Sequence, residues 1–317
     1  MKFLLSMVAG GLLLSLGVSA TARAEQTLRI GYQKSSTLLT LLKQQGTLDK
    51  ALSGQGISVS WHEFTSGLPL LEALNTGNVD ITADVADTVP VFAQAAGADF
   101  TYYARETPSP EAQAILVPDG STVKSLAELK GKKIAVTKAA GSHYLLIVAL
   151  KQAGLTLKDV DPAWLTPADG RAALENGSVA AWVTWEPYVT SARQEQHARV
   201  LVSGKGLASY QRYYLVASPY VKAHPEVVNT VYHALQQESH WLKSNPQAAA
   251  KILSPLWGNL PLATIEKANA YRSYQVEPVK NSDLAEQQKI ADVFYQAKLL
   301  PKPVNARQVA TWQPATP

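Results

Sequence analysis

Four short runs place small or polar residues directly before an apolar segment with helical spacing: Gln33-Lys34-Ser35-Ser36, Thr65-Ser66-Gly67, Asp84-Val85-Ala86-Asp87-Thr88 and Ala139-Ala140-Gly141-Ser142-His143. A helix N-terminus carries unpaired backbone N–H groups and about half a unit of positive charge, so several converging on one cleft hold an anion without a lysine. The chemistry this predicts is capture of a small oxyanion. Taken singly, Ser36, Ser66, Asp87 and Ser142 read as ordinary N-caps; their joint placement after predicted strands is what points to a ligand. The densest aromatic run is Ala181-Trp182-Val183-Thr184-Trp185-Glu186-Pro187-Tyr188. As a strand it sends Trp182 and Trp185 to opposite faces, one packed inward and one free to face a cleft. Pro187 ends the strand and so puts Trp185 near the cleft mouth, while Glu186 reads as a turn residue.

No catalytic motif competes with this reading. There is no Gly-x-Ser-x-Gly elbow, no His-Glu-x-x-His helix and no phosphate-binding Walker loop, and Gly204-Lys205-Gly206-Leu207-Ala208-Ser209 lacks the third glycine of a dinucleotide fingerprint. Of the histidines, His62, His197 and His224 read as surface or strand-edge residues, and His233 and His240 stand too far apart on one helix to share a metal. His143 alone has a site role to offer. The carboxylates Asp87, Glu106, Asp169 and Glu186 form no acid/base pair, although Asp169 is placed to cap the helix carrying Arg171. Neither a metal nor a cofactor is expected.

The elements that must position these residues fit a two-lobed chain. Of 317 residues, 1–24 read as an export signal, with Lys2, an apolar run and Ala22-Arg23-Ala24 before the cut, so the mature chain starts at Glu25. What remains is long enough for two domains of about 150 residues each. Losing Lys2 and Arg23 removes two charges from a formal +4, so no polyanion-binding surface, and no nucleic acid, is indicated. The absence of cysteine excludes disulfides, thiolate catalysis and a lipidated N-terminal cysteine. An exported, soluble periplasmic protein is the simplest reading.

Alternation predicts strands at 27–32, 57–64 and 79–83 and helices at 37–50, across Leu70, Leu71 and Leu74, and at 87–96. This is an α/β unit on a largely parallel sheet. A second unit follows: strands at 112–117, 133–136 and 179–183, a short helix at 125–129, and helices at 142–150 and 168–177. Strands at 199–202 and 213–217 come next, and everything beyond Pro219 reads as helical. Ligands in such α/β architectures sit at the carboxyl ends of the strands, where the four runs lie.

Gly31-Tyr32-Gln33-Lys34, Leu71-Glu72-Ala73-Leu74-Asn75, Phe92-Ala93-Gln94-Ala95-Ala96-Gly97-Ala98-Asp99, Leu129-Lys130-Gly131-Lys132-Lys133, Leu165-Thr166-Pro167-Ala168-Asp169 and Trp185-Glu186-Pro187-Tyr188 occur in an order that resembles the aliphatic-sulfonate-binding proteins of bacterial ABC importers. The likeness runs over nearly the whole mature chain, to Trp312-Gln313-Pro314. It implies a type II periplasmic-binding-protein fold of class α/β: two α/β lobes joined by two crossovers, with a helical C-terminal region. Residues 25–110 and 214–317 would form the first lobe and 111–213 the second. The implied partners are a small organosulfonate anion and an inner-membrane permease, met by a monomer. The resemblance also implies site residues: Gln33, Ser35 and Ser36 in the first loop, a backbone N–H at Gly67, and Ala86-Asp87-Thr88 as a third anion-facing turn. Ser142 and His143 lie across the cleft, Glu106 near a crossover, and Trp185 against the organic tail. Ala86 and Ser35 stand where the family often has glycine, which leaves sulfate esters open as ligands. Taurine, nitrate or a pyrimidine precursor, a secreted organosulfur enzyme and a sensory subunit are the other readings.

Overall fold

The structure is a computed structural model in which residues 26–315 are described; the export signal expected over 1–24 and the mature start at Glu25 lie outside them. The first strand, β1 (Gln26–Gln33), pairs in parallel with β2 (Ile57–Phe64) along its whole length. Between them, where one helix over 37–50 is expected, stand two, α1 (Leu38–Gln45) and α2 (Thr47–Ser53). Gly46 separates them at φ 66°, a left-handed conformation that ends a helix and that glycine adopts without a Cβ clash. Next come α3 (Gly67–Asn75), β3 (Ile81–Thr82), β4 (Val85–Ala86), α4 (Thr88–Ala96) and β5 (Phe100–Glu106). The sequence pattern does not announce β5. It is buried at every position, so it shows no alternation.

The chain then builds a second sheet from β6 (Gln113–Val117), β7 (Lys133–Val136), α5 (Gly141–Gln152), β8 (Asp161–Trp164), α6 (Pro167–Glu175), β9 (Ala181–Trp185), α7 (Tyr188–Glu195) and β10 (Arg199–Ser203). It returns to the first sheet as β11 (Arg212–Ala217), followed by α8 (Ser218–Ala223), α9 (Pro225–Ser244), α10 (Pro246–Leu253), α11 (Leu262–Ala270), β12 (Val276–Glu277), α12 (Asn281–Gln296) and β13 (Ala310–Thr311). The region beyond Pro219 is therefore not wholly helical: β12 and β13 both pair with β5 and supply partners for its backbone.

The sheets are mixed rather than largely parallel. The first runs β12-β5-β11-β3-β1-β2, with β13 on β5 and β4 on β11; the second runs β10-β6-β9-β7-β8. Parallel pairs such as β1·β3 and β7·β9 come from helical crossovers within a lobe. Antiparallel pairs form where the chain changes lobe. Strand β5 leaves the first sheet and β11 re-enters beside it, while β6 and β10 enter and leave the second sheet side by side. The two crossovers touch: the Ser109 N–H donates to the Ser209 carbonyl at 3.1 Å, and a Cβ on Gly204 would lie 2.4 Å from the Pro110 carbonyl oxygen.

Each sheet is covered on both faces. On the first, α1, α9 and α10 bury Leu38, Leu41, Val231 and Leu253 on one side, and α3 and α4 bury Leu70, Leu74 and Val89 on the other. On the second, α5 buries Leu145, Leu146 and Leu150, and Trp182 fills the opposite face against Gly170. A further cluster joins Val91, Ile290 and Phe294 of the first lobe to Tyr144 and Ile147 of the second. No helix among the described residues is long and apolar enough to cross a membrane.

Candidate functional site

Between the lobes lies a narrow crevice with free space of about 10 Å³, and the starts of three helices form its walls. Ser66 and Gly67 begin α3, Ala86 and Val89 bracket the start of α4, and Ala139, Ala140 and Gly141 lead into α5. None of these helices is capped by a side chain: Ser66, Asp87 and Ala140 hold the N-cap positions and make no capping hydrogen bond. The positive ends of the three dipoles thus converge with donors left for a ligand.

Close approach of backbone is what the glycines allow. A Cβ on Gly67 would fall 2.6 Å from Val89 Cγ2, and one on Gly141 would fall 2.8 Å and 2.9 Å from the Tyr210 ring. Tyr210 and Ala139 both line the crevice in left-handed conformations, at φ 48° and 61°. Backbone strain in non-glycine residues gathers at sites where the surroundings enforce it.

The crevice also holds one buried cation. Arg212 opens β11 and donates from Nη2 to Asp84 Oδ2 (2.6 Å) and to the Asp84 carbonyl (2.9 Å), and from Nη1 to the Tyr210 hydroxyl (2.6 Å). Its Nε has no partner. Burial opposes its charge, but Tyr210 and Asp84 more than offset this, and the guanidinium sits above its ordinary pKa. Behind it, Arg272 bridges Asp84 (3.0 Å) and Glu106 (2.7 Å), so two arginines and two carboxylates form a buried floor. At the rim, exposed Lys138 adds a second positive charge.

Of the sequence-predicted residues, Gln33, Gly67, Ala86 and Trp185 line the crevice. Gln33 Nε2 spends one N–H on the Asp84 carbonyl at 3.0 Å and keeps another. Trp185 comes from the second lobe, and its indole N–H donates to Ser35 Oγ of the first at 3.2 Å, so Ser35 touches the wall-forming tryptophan. Trp182 is in the core, on the opposite face of β9.

The others are engaged elsewhere. Ser36 Oγ accepts from the Gln33 N–H (3.2 Å) and holds the first loop's turn. The Asp87 carboxylate accepts from the Gln211 N–H (3.0 Å) and clamps the end of the second crossover; burial pushes it up to about 6. Thr88 donates to the Ala139 carbonyl (2.6 Å). Glu106 lies in the floor, accepting from Arg272 and from the Tyr214 hydroxyl (2.8 Å). Ser142 is fully buried and does not reach the crevice. His143 does not face it either: its ring packs against Trp164 and Phe294, its Nδ1 accepts from the Ala139 N–H, and burial, with Lys138 adding, lowers its pKa to about 3. A neutral, inward-facing imidazole offers an anion nothing. Glu186 lies in a turn between β9 and α7, as expected, and is buried there, accepting from the Thr190 N–H (3.0 Å) and hydroxyl (2.8 Å) and closing the first turn of α7.

Sequence reasoning did not single out Arg212, Tyr210, Lys138, Leu68 or Val89. Arg212 carried a signal, a charge opening an otherwise apolar aromatic strand; Tyr210 carried none. Among the described residues no cluster of three or more His, Asp or Glu side chains is gathered that could hold a metal.

Residues 52–249 match the family model described as NMT1/THI5 like. The chain is 38% identical over 316 residues to the aliphatic sulfonates-binding protein of Escherichia coli (strain K12), covering 99% of this chain and 98% of that protein. Among solved structures it is similar to the periplasmic aliphatic sulphonate binding protein SsuA from Escherichia coli, with TM-score 0.82, 40% identity, and 92% and 93% of the two chains covered. It is also similar to the alkanesulfonate-binding protein SsuA from Xanthomonas axonopodis pv. citri bound to MOPS, with TM-score 0.82, 38% identity, and 88% and 96% covered.

Proposed function

We propose, from the premise that the chain belongs to the family of aliphatic-sulfonate-binding proteins, that it is a periplasmic solute-binding protein of an ABC importer. It captures an organosulfonate anion between its lobes and hands it to an inner-membrane permease as a sulfur source. It binds its ligand and does not transform it. The observation that carries this reading is the convergence of three uncapped helix N-termini on a crevice that also holds Arg212. A sulfonate offers three acceptor oxygens and one negative charge. The oxygens accept from the backbone N–H groups near Gly67 and Gly141 and from the remaining N–H of the Gln33 amide, backed by Arg212, whose charge Asp84 already neutralises, and Lys138 at the rim supplies the counter-charge. Trp185, Leu68 and Val89 give the carbon chain an apolar wall. Closure removes water from these charge-assisted hydrogen bonds and strengthens them.

One further feature supports this reading. Both methionines, Met1 and Met7, precede the cut expected after Ala24, and there is no cysteine. The exported protein would then contain no sulfur atom, so none of the element it collects would stay locked in it.

The test is a thermal-shift and calorimetry panel of alkanesulfonates of increasing length, taurine, sulfate esters, sulfate and nitrate. A ligand at a hundred times its Kd stabilises the folded state by about 2.7 kcal/mol. Shifts are expected with organosulfonates; shifts with nitrate alone, or with nothing on the panel, overturn the reading.

A further inference from the structure

Two side-chain hydrogen bonds flank the crevice and join the lobes: Trp185 to Ser35, and Thr88 to Ala139. The second has the more elaborate support. Thr88 is the first residue of α4, is fully buried, and sends its hydroxyl across the cleft to the Ala139 carbonyl at 2.6 Å. Ala139 presents that carbonyl from a left-handed backbone conformation, φ 61°, that a residue with a Cβ rarely adopts. Its N–H donates to His143 Nδ1 at 3.2 Å, so the turn is held by a side chain of the helix it leads into. His143 is itself wedged between Trp164 of the second lobe and Phe294 of the first, with ring centroids 4.8 Å and 5.1 Å away. The histidine therefore seats the turn and meets the opposite lobe together.

We infer that the Thr88 hydroxyl and the Ala139 carbonyl form a closure latch, a hydrogen bond made only when the lobes are shut, with His143 as the positioning residue that aims the carbonyl. The latch rests on the reading of the chain as a cleft-closing binding protein and assigns Thr88 a part in closure instead of contact with the anion. Its hydroxyl proton is already spent on Ala139, so it has none to give a ligand. A latch of this kind favours the closed state by the same factor for every ligand, because it touches none of them. Apparent affinity scales with the population of the closed state. One buried neutral hydrogen bond changes that population about three- to tenfold.

The experiment compares wild type with Thr88→Val, which keeps the shape and removes the hydroxyl, and with Thr88→Ser, which restores it. Stopped-flow tryptophan fluorescence gives association and dissociation rates for methane-, butane- and octanesulfonate. Thr88→Val is expected to raise the dissociation rate three- to tenfold by one common factor for all three ligands with little change in association, and Thr88→Ser to return it to within about twofold of wild type. Unchanged dissociation overturns the latch. So does a loss that differs among the three sulfonates or falls on association, since either marks contact with the ligand. Small-angle scattering of the unliganded proteins gives a reading independent of ligand identity. A more open average shape in Thr88→Val supports the latch even if no sulfonate on the panel binds, and identical profiles count against it.

Discussion

Gly141→Ala is the smallest perturbation that separates backbone capture of the anion from capture by side chains alone. The added Cβ would lie 2.8 Å and 2.9 Å from two Tyr210 ring carbons and 3.4 Å from the Ala86 Cβ. Carbon atoms rest about 3.5–4.0 Å apart, so something must give by roughly 0.6–1.2 Å. Tyr210 is held: it is buried, and its hydroxyl accepts from Arg212 Nη1 at 2.6 Å. The start of α5 must then withdraw from the crevice, carrying its N–H groups with it. A hydrogen bond to a charged group contributes about 1.5–3 kcal/mol, so losing one raises Kd roughly tenfold to a hundredfold. Titration calorimetry with a short alkanesulfonate measures this directly. Gly54→Ala is the control; its φ is −61° and its nearest foreign atom is the Ala51 carbonyl oxygen at 3.6 Å, so binding should not change. In a Tyr210→Ala background the Gly141→Ala penalty should shrink to less than threefold. Wild-type affinity in a folded Gly141→Ala protein would refute the backbone reading, and additive losses in the double variant would show that the Tyr210 ring is not the obstacle.

Trp185→Ala should weaken long-chain sulfonates more than short ones, the gap growing by up to about 0.8 kcal/mol for each methylene that loses its cover; equal losses across chain lengths in calorimetry would remove Trp185 from the tail wall. Arg272→Ala leaves Asp84 and Glu106 buried without their shared cation, and chemical denaturation should show a loss of about 3–5 kcal/mol; a loss below 1 kcal/mol would mean the floor tolerates unpaired charge. Burial raises the Glu186 carboxyl from 4.5 to about 7, so the folded state holds a proton that the unfolded state releases. Its contribution is fully present below pH 4.5 and is lost as pH rises through 7, so wild type should lose melting temperature relative to Glu186→Gln across that window. A gap that stays constant from pH 4.5 to 8.5 would show that Glu186 does not titrate there.

What the sequence discloses and what it hides divide along a physical line. Elements with one side open to water show their period: β2, the edge strand of its sheet, falls over Ile57–Phe64 where alternation puts it. Strand β5 is hidden because all seven residues are buried, including Arg105 and Glu106, whose partners Glu277, Asp283 and Arg272 stand more than 160 positions away in the chain. No local pattern can announce a buried charge whose neutralisation is tertiary. The wall-forming loops were legible for a related reason: helix N-termini present backbone N–H groups whatever the side chains are, so Ser66-Gly67 and Gly141 mark donors by position alone. Side-chain direction does not follow from that position. Successive helical residues turn by about 100°, so Gly141 faces the crevice while His143 points at Phe294. Arg212 reaches the crevice only because the second crossover sets β11 beside β3 and β5, an arrangement fixed by sheet pairing rather than by any run of residues near it. The donors of the candidate site are thus written locally, and its charge is written in the topology.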